Sequence, residues 1–289
     1  MNDSERRLRF REALEARRGL LLPGAFNALS ARIVQDTGCE AVYLTGAGLT
    51  NMRLGLPDLA FVGLTDVADE VMRMRQVIDV PLMVDADTGF GNAVNLWRAV
   101  KVLERAGADA IQIEDQTFPK RCGHFAGKDV APLPEMVAKV KAAVDARTDP
   151  NLLIVARTDA AAVEGFEAAV DRALALAEAG ADILFVEAAR GEDEVRRLPA
   201  LLTRPALINI VIGGQTPVLP ASELAACGYG CVLYANAALQ GAVRGMQAAL
   251  GVLCSTGRLD EEAALVTPFA ERQRLVDKPF FDELENRYA

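Results

Sequence analysis

"ERAGADAIQIED", residues 104–115, joins the end of an Ala/Leu/Glu/Arg-rich stretch of helical spacing to a short aliphatic run that closes on two acids. Gly107 falls where a helix needs a left-handed C-terminal turn, and the run "AIQIED" (110–115) has the length of a buried strand. The same joint recurs as "AEAGADI" (177–183), leading into "ILFVEA" (183–188). Working outward, comparable runs appear at "LLLPGAF" (20–26), "AVYLTG" (41–46), "PLMVDAD" (81–87), "LLIVART" (152–158), "ALINIV" (206–211) and "CVLYAN" (231–236), each followed by a helical pattern. Runs apolar on both faces and alternating with helices signify parallel strands covered on both sides, and eight such units close a (β/α)8 barrel of the TIM type. An open doubly wound sheet is the rival, but "LLLPGAFNALS" carries no glycine-rich phosphate turn after the first strand. Strand number and spacing favour the barrel.

The chain has 289 residues, enough for one barrel domain over 1–258 and a C-terminal helical extension over 259–289. That extension is interrupted by Pro268 and Pro279, and its aromatics suit packing on a neighbouring subunit. With 31 basic against 40 acidic side chains the net charge is −9, which gives no electrostatic footprint for nucleic acid. No apolar run reaches the length of a membrane span. The first residues, "MNDSERRLRFREALEARRGLLLPG", put charges where a signal peptide needs apolar residues, so a cytoplasmic location is expected. The scattered Cys39, Cys122, Cys227, Cys231 and Cys254 read as reduced thiols, and Cys227 with Cys231 lacks the second ligand pair of a zinc site.

In a parallel barrel the chemistry gathers where the strands end. The polar residues there are Thr45, Asp85 and Asp87, Glu114 and Asp115, Arg157 and Asp159, Glu187, Asn209 and Asn236. "VDADTGFG" (84–91) is the most informative, because side chains two apart on a strand share a face and so offer two carboxylates in one direction. Hard oxygen donors in an apolar run suit Mg²⁺, or Mn²⁺; the bland alternative is a helix-capping aspartate. Glu114 and Glu187 could complete an outer shell, and Arg157 could clamp a carboxylate in bidentate fashion, or these charges could form a structural ion-pair ring.

Residues 116–133 form a long connection that contains "FPKRCGHFAGKDV" (118–130) and the one histidine of the chain, His124. Connections of this length in compact folds are often active-site lids. Lys120, Arg121 and His124 would stabilise the Cys122 thiolate, making that residue a nucleophile or proton donor, unless it is a packing residue on a basic loop. A Ser-His-Asp hydrolase would have to use this one histidine, and the sequence has no G-x-S-x-G elbow.

Taken together, "YLTGAG" with "LGLPD", "VDADTGFG", "IEDQTFPKRCGH", "ARTDA" and "LFVEA" resemble, in order, the isocitrate lyase and phosphoenolpyruvate mutase superfamily, from about Phe10 to Met246. The resemblance implies a Mg²⁺-dependent enzyme acting on a small 2-oxo or 2-hydroxy carboxylate. It also implies a barrel whose eighth helix is exchanged between subunits, in a homotetramer built as a dimer of swapped dimers. Carried over by motif, Asp85 and Asp87 hold the metal, with Asp58 and Glu114 in its outer sphere. Thr45, Gly46, Ala47, Gly123, Arg157, Glu187 and Asn209 bind substrate, and Lys120, Cys122, His124, Glu114 and Arg157 are catalytic.

"KRCGH" resembles the lyase branch, that of the 2-methylisocitrate and 2,3-dimethylmalate lyases, in which the thiol would protonate an enolate after carbon-carbon cleavage. Gln240 stands after the eighth run where the methylisocitrate enzymes carry an arginine, and Ile212 stands where a glutamate is frequent. A third substrate carboxylate would therefore be poorly compensated, which favours a substrate of the alkylmalate type. Hydrolysis of oxaloacetate to oxalate and acetate, phosphorus-carbon chemistry of the mutase or phosphonopyruvate hydrolase kind, and an inactive barrel serving as a binding module remain as alternatives.

Overall fold

The structure is a computed structural model and describes residues 1–118, 120 and 129–289. Helix α1 (Asp3–Glu15) opens the chain, with the Asn2 side chain accepting from the Glu5 amide and the Glu5 carboxylate returning the bond to the Asn2 amide. Strand β1 (Leu20–Ala25) leads to α2 (Ala28–Asp36), and β2 (Val42–Leu44) to α3 (Gly46–Leu54) and α4 (Leu64–Arg75). Next come β3 (Leu82–Asp85), α5 (Ala93–Ala106), β4 (Ala110–Glu114) and α6 (Leu133–Ala146). They are followed by β5 (Leu153–Thr158), the short α7 (Ala160–Val163), α8 (Phe166–Glu178), β6 (Ile183–Val186) and α9 (Gly191–Leu201). The last unit holds β7 (Ala206–Asn209), α10 (Ala221–Cys227), β8 (Tyr229–Tyr234) and α11 (Ala237–Thr256), and α12 (Phe269–Leu275) and α13 (Lys278–Tyr288) follow it.

All eight strands pair in parallel and in chain order, and β8 returns to β1, so the barrel is closed. The two AGAD joints behave as the pattern implies: Gly107 and Gly180 have φ of +107° and +108°, a conformation that side chains with a Cβ resist. Strand β2 is shorter than the run "AVYLTG", because Thr45 leaves the sheet to cap α3 with its hydroxyl, which accepts from the Gly48 amide at 3.2 Å.

Period-two alternation divides the core in two. Inward side chains such as Tyr43, Met83, Leu153, Phe185 and Leu233 fill the barrel, and Phe10 and Leu14 of α1 plug its base. Outward residues meet the helices in a larger shell, where α5 contributes Leu96, Ala99, Val100 and Leu103 from a single face. Truncating the fully buried Leu103 to alanine removes about 2–5 kcal/mol of such packing.

The extension is described as α12 and α13, neither of which buries a residue in this chain. It touches α2 of its own chain, where Arg274 forks onto Asp36 at 2.6 and 2.7 Å and Arg32 donates to the Leu275 carbonyl. Among the described residues, no helix is long and apolar enough to cross a membrane, and Cys39, Cys227, Cys231 and Cys254 are free thiols.

Candidate active site

Strand register sets the neighbours at the barrel mouth. Asp85 of β3 lies opposite Gln112 of β4, and Glu114 of β4 lies opposite Arg157 of β5. Side chains two apart share a face, so Asp85, Gln112, Glu114, Arg157 and Glu187 turn toward the axis, while Asp115 turns outward. There Asp115 accepts from the Thr158 hydroxyl, the Asp159 amide and Arg172 Nε at 2.6–2.9 Å. It is a fastener between the strands and α8 rather than a member of the site.

A cavity of about 40 Å³ opens at the mouth, lined by the polar Thr45, Asp58, Asp85, Glu114, Lys120 and Glu187 and by the apolar Phe185, Val211, Leu233 and Ala235. The capping role considered for the aspartates belongs instead to Asn92, whose side chain accepts from the Val94 and Asn95 amides at the start of α5. Asp85 and Asp87 are thus free to face Gly46. A Cβ on that glycine would lie 3.1 Å from Asp85 Oδ2 and 3.4 Å from Asp87 Oδ1, so the absent side chain leaves space beside both carboxylates. Asp85 Oδ2 accepts from the Gly46 amide at 3.3 Å, at the N-terminus of α3.

Lys120 enters this acidic cluster. Its Nζ donates to both Asp58 oxygens at 2.7 Å and forms an ion pair with Asp87 Oδ1, also at 2.7 Å. Burial opposes the ammonium charge, but Asp87, Glu114, Asp85 and Asp58 outweigh it and hold Lys120 above the ordinary lysine value. Burial likewise pushes the Asp87 carboxyl up to about 7, against the pull of Lys120, and it pushes Glu114 well above the usual carboxylate range.

Arg157 is buried beneath the mouth. Burial works against its charge too, yet Asp159, Glu114 and Glu187 raise it well above the usual arginine value. The bidentate clamp expected for a substrate carboxylate is directed at Asp159: Nε and Nη2 donate to its two oxygens at 2.9 and 3.1 Å. Nη1 lies 3.3 Å from Glu114 Oε2, and Nη2 lies 3.4 Å from Glu187 Oε2. Glu187 is held further by the Ala188 amide and by Asn209 Nδ2.

Two buried acceptors at the mouth, Glu114 Oε1 and Asn209 Oδ1, have no hydrogen-bond partner, and Asp87 Oδ1 has only its ion pair with Lys120 Nζ. Such groups are costly to bury, and acidic oxygens left bare beside an open space are the donor set of a hard divalent cation. Among the described residues, no group of three or more His, Cys, Asp or Glu has yet converged into a ligand set. The fit to a cation therefore rests on the bare oxygens and on the Gly46 gap.

Residues 10–253 match the sequence pattern of the family described as phosphoenolpyruvate phosphomutase. The chain belongs to that family. A 2,3-dimethylmalate lyase of Eubacterium barkeri is 38% identical over 281 residues, covering 97% of each chain. A crystal structure of 2,3-dimethylmalate lyase, a PEP mutase/isocitrate lyase superfamily member, superposes with a TM-score of 0.89 at 32% identity over 97% of this chain and 95% of that one. A 2-methylisocitrate lyase of Shewanella oneidensis is 46% identical over 245 residues, 83% of this chain and 84% of that one. Oxaloacetate acetylhydrolase in complex with 3,3-difluorooxalacetate superposes with a TM-score of 0.92 at 30% identity, covering 99% of this chain and 97% of that one. With lyases among its curated relatives, this family member is a carbon-carbon lyase.

The mouth thus brings together Thr45, Gly46, Ala47, Asp58, Asp85, Asp87, Glu114, Lys120, Arg157, Glu187 and Asn209. Cys122, Gly123 and His124 lie outside the described residues. The reading of strand ends passed over Tyr43 and Gln112, which sit two residues before Thr45 and Glu114 and face the same way. Alternation along the strand was the signal that could have found them.

Proposed function

We propose that this lyase cleaves a small 2-hydroxy dicarboxylate of the alkylmalate type, with 2,3-dimethylmalate as the representative substrate, to pyruvate and a short carboxylate. The observation that carries the reading is the mixed lining of the cavity. Acids and the cations Arg157 and Lys120 share it with Phe185, Val211, Leu233 and Ala235. An alkyl branch suits the apolar residues, whereas a third carboxylate would meet no lining cation beyond Arg157 and Lys120, both already paired with acids. Ile212 is half exposed and its carbonyl accepts from Gln240 Nε2 at 3.4 Å, so neither of these two residues supplies the missing charge.

Asp85 and Asp87 would hold Mg²⁺, or Mn²⁺, with Asp58 and Glu114 around it. When bound, the cation supplies electrophilic stabilisation of the oxygen that becomes the oxo group. The Ala47 amide at the N-terminus of α3, beside Gly46 and Thr45, would bind the substrate carboxylate, and Arg157, fixed by Asp159, would present Nη1 to the hydroxyl side. A carboxylate of the ring takes the hydroxyl proton, the bond between the hydroxyl carbon and its neighbour breaks, and its electron pair passes to the departing acid as an enolate. Cys122, assigned from "KRCGH" alone, returns a proton to that carbon. A homotetramer is part of the same proposal. In its support, Val243, Met246, Leu250 and Leu253 form an exposed apolar stripe along α11 that a second copy of this chain would cover.

Hydrolysis of oxaloacetate is the second reading, favoured by the likeness to oxaloacetate acetylhydrolase. Incubation with Mg²⁺ and separate samples of 2,3-dimethylmalate, 2-methylisocitrate, oxaloacetate and phosphonopyruvate separates the possibilities. Pyruvate released fastest from dimethylmalate is the expected result. Oxalate from oxaloacetate alone, or phosphate from phosphonopyruvate alone, would replace the alkylmalate assignment.

A further inference from the structure

Asp85 is aimed by a neutral neighbour. Gln112 is fully buried in β4, with Nε2 3.3 Å from Asp85 Oδ1 and Oε1 2.9 Å from the Tyr43 hydroxyl. An ionised carboxylate can only accept, so the amide must turn its nitrogen toward Asp85 and its oxygen toward Tyr43, which then donates. The direction of both bonds is thereby forced. Burial raises the Tyr43 hydroxyl well above the ordinary tyrosine value, so it keeps the proton that the amide needs.

The effect falls unequally on the two oxygens of Asp85. Oδ1 accepts from Gln112 and from the Asp87 amide at 3.2 Å, while Oδ2 accepts from the Gly46 amide at 3.3 Å. Oδ2 is also the atom against which a Cβ at Gly46 would press. The oxygen with capacity to spare is therefore the one beside the gap.

We propose that Gln112, anchored by Tyr43, is a positioning residue that fixes the Asp85 carboxylate so that Oδ2 serves a divalent cation. The inference rests on the cation reading given above, and it concerns a residue that touches neither metal nor substrate. A residue of this kind supports a metal ligand from behind, and its loss typically weakens metal binding by about 10–100-fold.

The test is Mn²⁺ binding to the whole protein without substrate, followed by the electron paramagnetic resonance of free Mn²⁺, with thermal unfolding of the metal-free proteins in parallel. Gln112→Glu keeps the size of the side chain and the acceptor for Tyr43 but replaces the donor facing Asp85; Gln112→Leu removes both bonds. Each is expected to bind Mn²⁺ about 10–100-fold more weakly than the unaltered protein. Tyr43→Phe, which frees the amide to turn, weakens binding by a smaller factor, and in the double variant with Gln112→Leu the two losses are less than additive, because Tyr43 acts in part through Gln112. If Gln112→Leu does not fold, Gln112→Glu and Tyr43→Phe decide the matter. Unaltered affinity in Gln112→Glu, or a loss of affinity that follows a matching loss of thermal stability in every variant, overturns the positioning role and leaves the cation reading standing. Failure of the unaltered protein to bind Mn²⁺ overturns both.

Discussion

The two ends of the barrel bury the same chemical groups in opposite states. At the base, Asp109 is fully buried and accepts from Arg6 Nε at 3.0 Å, from Arg75 Nη2 at 3.2 Å and from the Leu82 amide at 2.8 Å. Asp182, at the equivalent place in the second AGAD joint, accepts from Arg11, Arg147 and the Ile154 amide at 2.7–2.9 Å. The Glu104 carboxylate takes the Thr148 and Asp149 amides. At the mouth, by contrast, six carboxylates, those of Asp58, Asp85, Asp87, Glu114, Asp159 and Glu187, surround Arg157 and Lys120, and Glu114 keeps an oxygen without a hydrogen bond. The orphan at the base is a donor, Arg75 Nε, whereas those at the mouth are acceptors. Buried acids with a full complement of donors hold a structure together; buried acids lacking donors await a cation.

Substitutions of equal chemistry at the two ends should therefore separate stability from activity. The largest expected effect is that of Asp85→Ala. Catalytic efficiency on the preferred substrate falls about 10³-fold or more, since the metal contributes several kcal/mol at the transition state, while the urea midpoint stays near that of the parent. A midpoint that collapses along with activity would erase the distinction between the ends. Asp109→Ala reverses the pattern: it leaves Arg6 buried beside an empty place and lowers unfolding free energy by about 3–5 kcal/mol. Urea denaturation reads this directly, and a loss below about 1 kcal/mol would show that the base is not what its geometry implies.

A smaller effect comes from the metal itself. Mg²⁺ at a hundredfold excess over its dissociation constant should stabilise the EDTA-treated protein by about 2.7 kcal/mol, visible as a rise in melting temperature. Asp85→Ala should show no such rise; an equal rise in that variant would move the cation elsewhere. The smallest is Asp182→Ala, expected to cost about 1–3 kcal/mol because its site is partly open to solvent. If Asp182→Ala exceeded Asp109→Ala in the same denaturation series, the ranking of the two joints would be reversed.

Much of this was legible before any coordinates. Buried parallel strands advertise themselves as aliphatic runs, so the eight units and both AGAD joints could be read directly, and ionisable residues closing those runs marked the mouth. Less legible was what depends on register and on turns. Asp115 has the same credentials as Glu114 in the sequence, and alternation alone sends it outward to Arg172. The engagement of Arg157 by Asp159 follows from the turn between β5 and α7, which no residue type announces. Gln112 carries no charge to draw attention, and its importance appears only when β3, with Asp85, is laid beside it. That Thr45 caps α3 instead of extending β2 was hidden because a strand end and a helix cap can carry the same residue there.

The clasp under the barrel has a consequence for the order in which the molecule can be completed. Arg6, Arg7 and Arg11 of α1 meet Asp109, Asp149 and Asp182, which lie 103, 142 and 171 positions further along the chain. Since a chain is made from its N-terminal side, the three pairs become available in that order, and the last waits until the residue before β6 has been added.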